Sequence, residues 1–106
     1  MAWVYLVVAI VLEVSGTTSM KLSRGFSELW PSVAVFVFYA LSLVFLTFSI
    51  QRIDIGVAYA IWSALGTALV VTIGIVHFGE AATAWKIFFL ALIVFGVVGL
   101  RLTEPA

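Results

Sequence analysis

Four unbroken apolar runs, each close to the length of a membrane span, decide what this chain can fold into. A helix of ~20 residues rises ~30 Å, the thickness of a bilayer's hydrocarbon core. The runs extend from about Ala2 to Met20, Ser32 to Ile50, Gly56 to Val76 and Trp85 to Leu100. Only 9% of the residues are charged, against about a quarter in soluble domains, so the chain cannot cover a water-facing surface. The expectation is an all-α membrane protein, a single four-helix transmembrane domain over residues 1–106. Strands of a membrane barrel would alternate apolar and polar residues over ~10 positions, whereas these runs are continuous. The first run lacks a basic leading segment and outlasts a signal-peptide core, so it reads as a retained helix.

The gaps are short. Lys21 to Pro31 (KLSRGFSELWP) reads as a loop, with Trp30 where an interfacial aromatic belongs. Gln51 to Ile55 (QRIDI) is so brief that helices 2 and 3 are expected to be antiparallel neighbours, and His77 to Ala84 (HFGEAATA) reads as a turn. The absence of cysteine excludes disulfides and thiolate metal sites. His77 stands alone near a helix end, so no metal site is expected. Nor does any nucleotide loop or cofactor fingerprint occur, and no cofactor is expected. Net charge is zero, and no basic cluster suggests nucleic acid or anionic lipid as a partner. Without an ATP site in the chain, uphill transport would have to draw on an ion gradient or on a partner.

Glu13 is the exception inside the runs. The other four acidic residues, Glu28, Asp54, Glu80 and Glu104, fall in gaps or in the tail. A carboxylate at mid-membrane costs ~2.5–3.5 kcal/mol on insertion scales. Such a group must be turned into a cavity or kept neutral, and either condition suits a residue that exchanges a proton or counters a cation. A structural contact between helices is the bland alternative, for which Ser, Thr or Asn would serve better.

Residues three and four apart share a helix face. Around Glu13 that face holds Ala9, Gly16 and Thr17, small residues that leave room beside the carboxylate. Tyr39 and Ser42 share a face of helix 2; Tyr59, Trp62, Ser63 and Gly66 share one of helix 3. The aromatics sit at mid-helix, where an interfacial belt does not explain them. Ring faces beside a carboxylate make a site for an organic cation; ordinary core packing is the alternative for any one of them alone.

Four spans enclose little interior, so oligomerisation is expected. Leu92, Gly96 and Gly99 form one face of helix 4 where backbones can approach closely, either between subunits or within one. Orientation is barely biased: Arg52 and Arg101 lie on one side of the membrane, Lys21, Arg24 and Lys86 on the other. Such a chain could insert both ways.

The motifs LEVSGTTSMKLSRGF (Leu12 to Phe26), WPS (Trp30 to Ser32) and GVAYAIWSALG (Gly56 to Gly66), with one membrane carboxylate, resemble the small multidrug resistance family of bacterial four-helix transporters. The resemblance covers nearly the whole chain. It implies a multi-pass protein of the bacterial inner membrane that works as an antiparallel, dual-topology dimer, with helix 4 forming the dimer contact. It also implies that Glu13 of both subunits binds protons or a cationic substrate, that Tyr59 and Trp62 line the site, and that Tyr39, Ser42 and Thr17 lie nearby. Gly16, where guanidinium-exporting members usually carry Trp, places the chain with exporters of hydrophobic and quaternary ammonium cations. The expected function is therefore proton-coupled antiport of such cations, with Gly16 leaving a pocket that Gly16→Trp should fill. A guanidinium or polyamine exporter, a paired heterodimer and a non-transporting membrane subunit are the alternatives. Ala64 and Phe89 stand where the family often has Gly, which bears on the flexibility of helix 3 and on the helix 4 contact.

Overall fold

The computed structural model describes residues 1–103, which form four helices: α1 (Ala2–Leu22), α2 (Leu29–Ser49), α3 (Ile55–Val76) and α4 (Ala84–Thr103). All four are long and apolar enough to cross a membrane. Glu104, expected in the tail, lies outside the described residues.

Local chemistry explains why the helices outrun the apolar runs. Pro31 falls in the first turn of α2, where the missing N–H has no intrahelical acceptor to lose. Thr83 starts α4: its hydroxyl accepts the N–H of Lys86 at 3.1 Å, an N-cap bond. Lys21 and Arg101 occupy the last turns of α1 and α4, where cations favour the helix dipole. The α1–α2 loop is tied by Ser23, whose hydroxyl donates to the Met20 carbonyl at 2.7 Å and accepts the Phe26 N–H at 3.1 Å. Arg24, Gly25 and Phe26 there all have positive φ.

The Cα atoms fill a slab 47 × 35 × 16 Å. Along it the helices pack in the order α2, α1, α3, α4. This corrects the expectation that the short QRIDI gap makes α2 and α3 packed neighbours: the turn joins their ends, while α1 is the helix that α3 packs against. The reason lies in the two faces of α1. Ala9 and Gly16, both buried, let α2 close in on one side, and the Ser42 hydroxyl donates to the Ala9 carbonyl at 2.7 Å to pin that seam. Leu6, Ile10 and Val14 pack with Ile53 and Ala58, and with Ile61 and Trp62 at the edge. α1 is thus the central element, with a third of its span buried, and α4 is the outermost, with none.

Candidate functional site

Glu13 projects from the middle of α1 into a cavity of about 360 Å³ between α1 and α3. Thr17, Tyr59, Trp62, Ser63, Gly66 and Thr67 line it with Glu13, and Val70 and Val71 close one end. Helical spacing accounts for the assembly. Glu13 and Thr17 are one turn apart on α1; residues 59, 62, 63, 66, 67 and 70 form one stripe of α3.

The carboxylate is held from two sides. Thr17 donates its hydroxyl to Glu13 Oε1 at 3.0 Å, and the Thr17 and Tyr39 hydroxyl oxygens lie 2.6 Å apart. A threonine has one hydroxyl proton; with that proton on Glu13, Tyr39 is the donor to Thr17. The result is a relay from α2 through α1 to the carboxylate. Other hydroxyls of the spans, Ser15, Thr18, Thr47 and Thr72, instead donate to carbonyls one turn back on their own helices. The second oxygen, Oε2, lies against Gly66, 3.0 Å from where a Cβ would stand. Gly66 therefore makes room for the carboxylate itself.

The aromatic wall has two members. Tyr59 and Trp62 meet edge to face with centroids 5.5 Å apart. Tyr59 is 59% exposed and stands at the cavity mouth. Trp62 buries its indole Nε1 with no hydrogen-bond partner. A buried indole N–H wants an acceptor, and this one has none among the described residues. Chemically the cavity offers an anion, a hydroxyl relay behind it and two ring faces. That set can bind a proton at Glu13, or a cation there with its apolar parts on the rings.

The sequence-derived residues separate into two groups. Glu13, Thr17, Tyr59, Trp62 and Ser63 come together around the cavity. Tyr39 reaches it only through its hydrogen bond to Thr17. Ala9, Ser42 and Gly16, expected to line the pocket, lie instead in the α1–α2 seam: Ala9 and Ser42 are bonded to each other, and Gly16 sits beneath the Tyr39 ring, 2.9 Å from a Cβ built there. Sharing a face with Glu13 did not suffice, because the α1 face around Glu13 is divided between two neighbouring helices. Thr67 was missed, although its position four residues beyond Ser63 carries the same stripe onward. On α4, Gly96 and Gly99 have nothing within 4 Å of an added Cβ and Leu92 is half exposed, so these glycines pack against none of the described residues.

A multi-pass membrane protein with one carboxylate in an aromatic-walled cavity is the class that fold and site define. Residues 1–93 match the model of the Small Multidrug Resistance protein family, and the chain belongs to that family of bacterial membrane efflux transporters. It is 45% identical over 97 residues to the multidrug resistance protein EbrB of Bacillus subtilis, covering 92% of this chain and 83% of that one. The quaternary ammonium compound-resistance protein QacE of Escherichia coli is 41% identical over 104 residues, covering 98% of this chain and 94% of its own. A guanidinium exporter of Yersinia pestis is 40% identical over 104 residues, 98% of this chain and all of its own.

Proposed function

We propose that this protein is a proton-coupled antiporter that exports hydrophobic and quaternary ammonium cations, working as an antiparallel homodimer. The observation that carries the reading is the Glu13 carboxylate facing an open cavity walled by Tyr59 and Trp62 in the middle of the spans. Glu13 binds either a proton or the cation, so an inward proton gradient drives cation efflux as the dimer alternates its open side. The two Glu13 carboxylates share one cavity. Tyr59 and Trp62 contact the apolar parts of the cation, each ring contributing on the order of 0.5–2 kcal/mol. Its energy source is the proton gradient, with no cofactor and no chemistry performed on the substrate. The open face of α4, with space beside Gly96 and Gly99, supports a second copy as a close-packing surface.

The names of QacE and EbrB support the quaternary ammonium and multidrug reading; the guanidinium exporter's similarity keeps guanidinium as the second reading. Width discriminates between them. The cavity is wide, about 360 Å³, and sets two ring faces alongside its polar groups Glu13, Thr17, Ser63 and Thr67, while guanidinium is small, planar and strongly hydrated and needs a tight polar site. The test is a panel of tetraphenylphosphonium, a tetraalkylammonium, guanidinium and spermidine in proteoliposomes under an imposed pH gradient. Tetraphenylphosphonium should bind more tightly than guanidinium, and more weakly as pH falls because protons compete for Glu13. Good guanidinium transport with no binding of the large cations would replace this reading by the second; no transport of any would favour a non-transporting subunit.

A further inference from the structure

We infer that the crevice between α3 and α4 binds an anionic phospholipid, with an acyl chain in the crevice and the phosphate at Arg101. A cavity of about 260 Å³ lies there, lined by Ile61, Ala64 and Leu65 of α3 and by Val94 and Val98 of α4, with Arg101 at its end. Ile61, Ala64 and Leu65 lie roughly half a turn round α3 from the stripe that faces Glu13, so the two cavities are on opposite sides of that helix. On α4, Val94, Val98 and Arg101 lie roughly half a turn from Leu92, Gly96 and Gly99. A second copy seated on the glycine face would leave the crevice open to lipid.

The occupant follows from the chemistry of the walls. An apolar crevice gives water no partners. From Val94 to Arg101 it runs roughly 10 Å, about a third of the hydrocarbon core, which suits the upper part of one acyl chain. The end carries the opposite character. Arg101 is in the last turn of α4, and its guanidinium carbon lies 5.2 Å from the centroid of the Trp3 ring. That contact fixes the guanidinium beside the first turn of α1, at the depth of the headgroups where tryptophan rings settle. Its planar fork of N–H donors matches two phosphate oxygens.

Native mass spectrometry of the full-length purified protein, loaded with phosphatidylglycerol or phosphatidylcholine of identical acyl chains, tests the inference. Phosphatidylglycerol should be retained about fivefold better, the factor for one basic residue at an anionic lipid surface. Arg101→Gln should bring that ratio close to one, and Arg101→Lys should keep most of it. Val98 is half exposed and tolerates a larger side chain, so Val98→Phe should lower retention of both lipids by filling the crevice. Millimolar glycerol phosphate should leave the lipid in place. An unchanged ratio in Arg101→Gln, no effect of Val98→Phe, or displacement by glycerol phosphate would each overturn it. Glu13→Gln should retain lipid as the wild type does, which separates this site from the transport reading.

Discussion

Gly16→Ala tests the placement of Gly16 in the α1–α2 seam rather than in the cation cavity. The new Cβ would stand 2.9 Å from Cδ1 and Cε1 of Tyr39 and 3.4 Å from the Cβ of Phe38. Carbon atoms settle at ~3.5–4.0 Å, so the ring must retreat by roughly half an ångström or more. The hydroxyl of that ring is the one that meets Thr17 at 2.6 Å, and the retreat stretches that bond. Overpacking costs ~1–3 kcal/mol and a weakened hydrogen bond ~0.5–1.5 kcal/mol, against a gain of ~1 kcal/mol for Ala over Gly in a helix. Overpacking wins, and Gly16→Ala should be net destabilising in thermal unfolding followed by circular dichroism in detergent. In a Tyr39→Leu background the ring is gone and only the propensity gain remains, so the same substitution should stabilise by up to ~1 kcal/mol. The reasoning is refuted if Gly16→Ala has the same sign in both backgrounds. By the same geometry Gly16→Trp, expected from the sequence to block large cations selectively, should weaken large and small cations alike by parting α1 from α2.

Glu13→Gln, nearly isosteric and neutral, should insert and fold but neither release protons on cation addition nor bind tetraphenylphosphonium; surviving uphill, pH-driven export would sink the proposed mechanism. Gly66→Ala should hold or raise thermal stability, because the Glu13 carboxylate that its Cβ meets is the end of a flexible side chain. Displacing that oxygen should nonetheless weaken cation affinity roughly tenfold or more, the scale of a lost contact to a charged group, and unchanged affinity by calorimetry would refute the role given to Gly66. Single cysteines placed at either terminus should be labelled from both sides of the membrane in comparable amounts, and a few added C-terminal Lys residues should fix one orientation; a single orientation for nearly all copies would remove the antiparallel homodimer.

The spans were legible because a bilayer imposes length and hydropathy on every one of them, and Glu13 because a carboxylate is conspicuous in such a run. The stripe of Tyr59, Trp62 and Ser63 followed from helical spacing alone. What spacing could not say was which neighbour each face meets. Ala9, Gly16 and Ser42 looked like pocket residues until α2 was seen to occupy their side of α1. The adjacency of α2 and α3 failed for a related reason: a short turn fixes where two helix ends meet, not which surfaces pack. Helix ends were missed where a cap or a charge, rather than hydropathy, sets them, as at Thr83 and Arg101.

The order α2, α1, α3, α4 leaves the single chain with two unfinished surfaces. One is the cavity, whose open side places a carboxylate toward whatever lies beside the slab. Hydrocarbon is a poor neighbour for it: a charged side chain at mid-membrane costs ~2.5–3.5 kcal/mol on insertion scales. The other is α4, with no buried residue and open space beside Gly96 and Gly99. Apolar exposure is harmless in lipid, so α4 alone would not require a partner; in the proposed dimer it is the cavity that a partner would close. In the proposed dimer, a second copy that closes over the cavity would bring its own Glu13 into the same space, so that two carboxylates would compete for one cation. This is the physical case for treating the dimer, rather than the chain, as the unit that binds and exchanges.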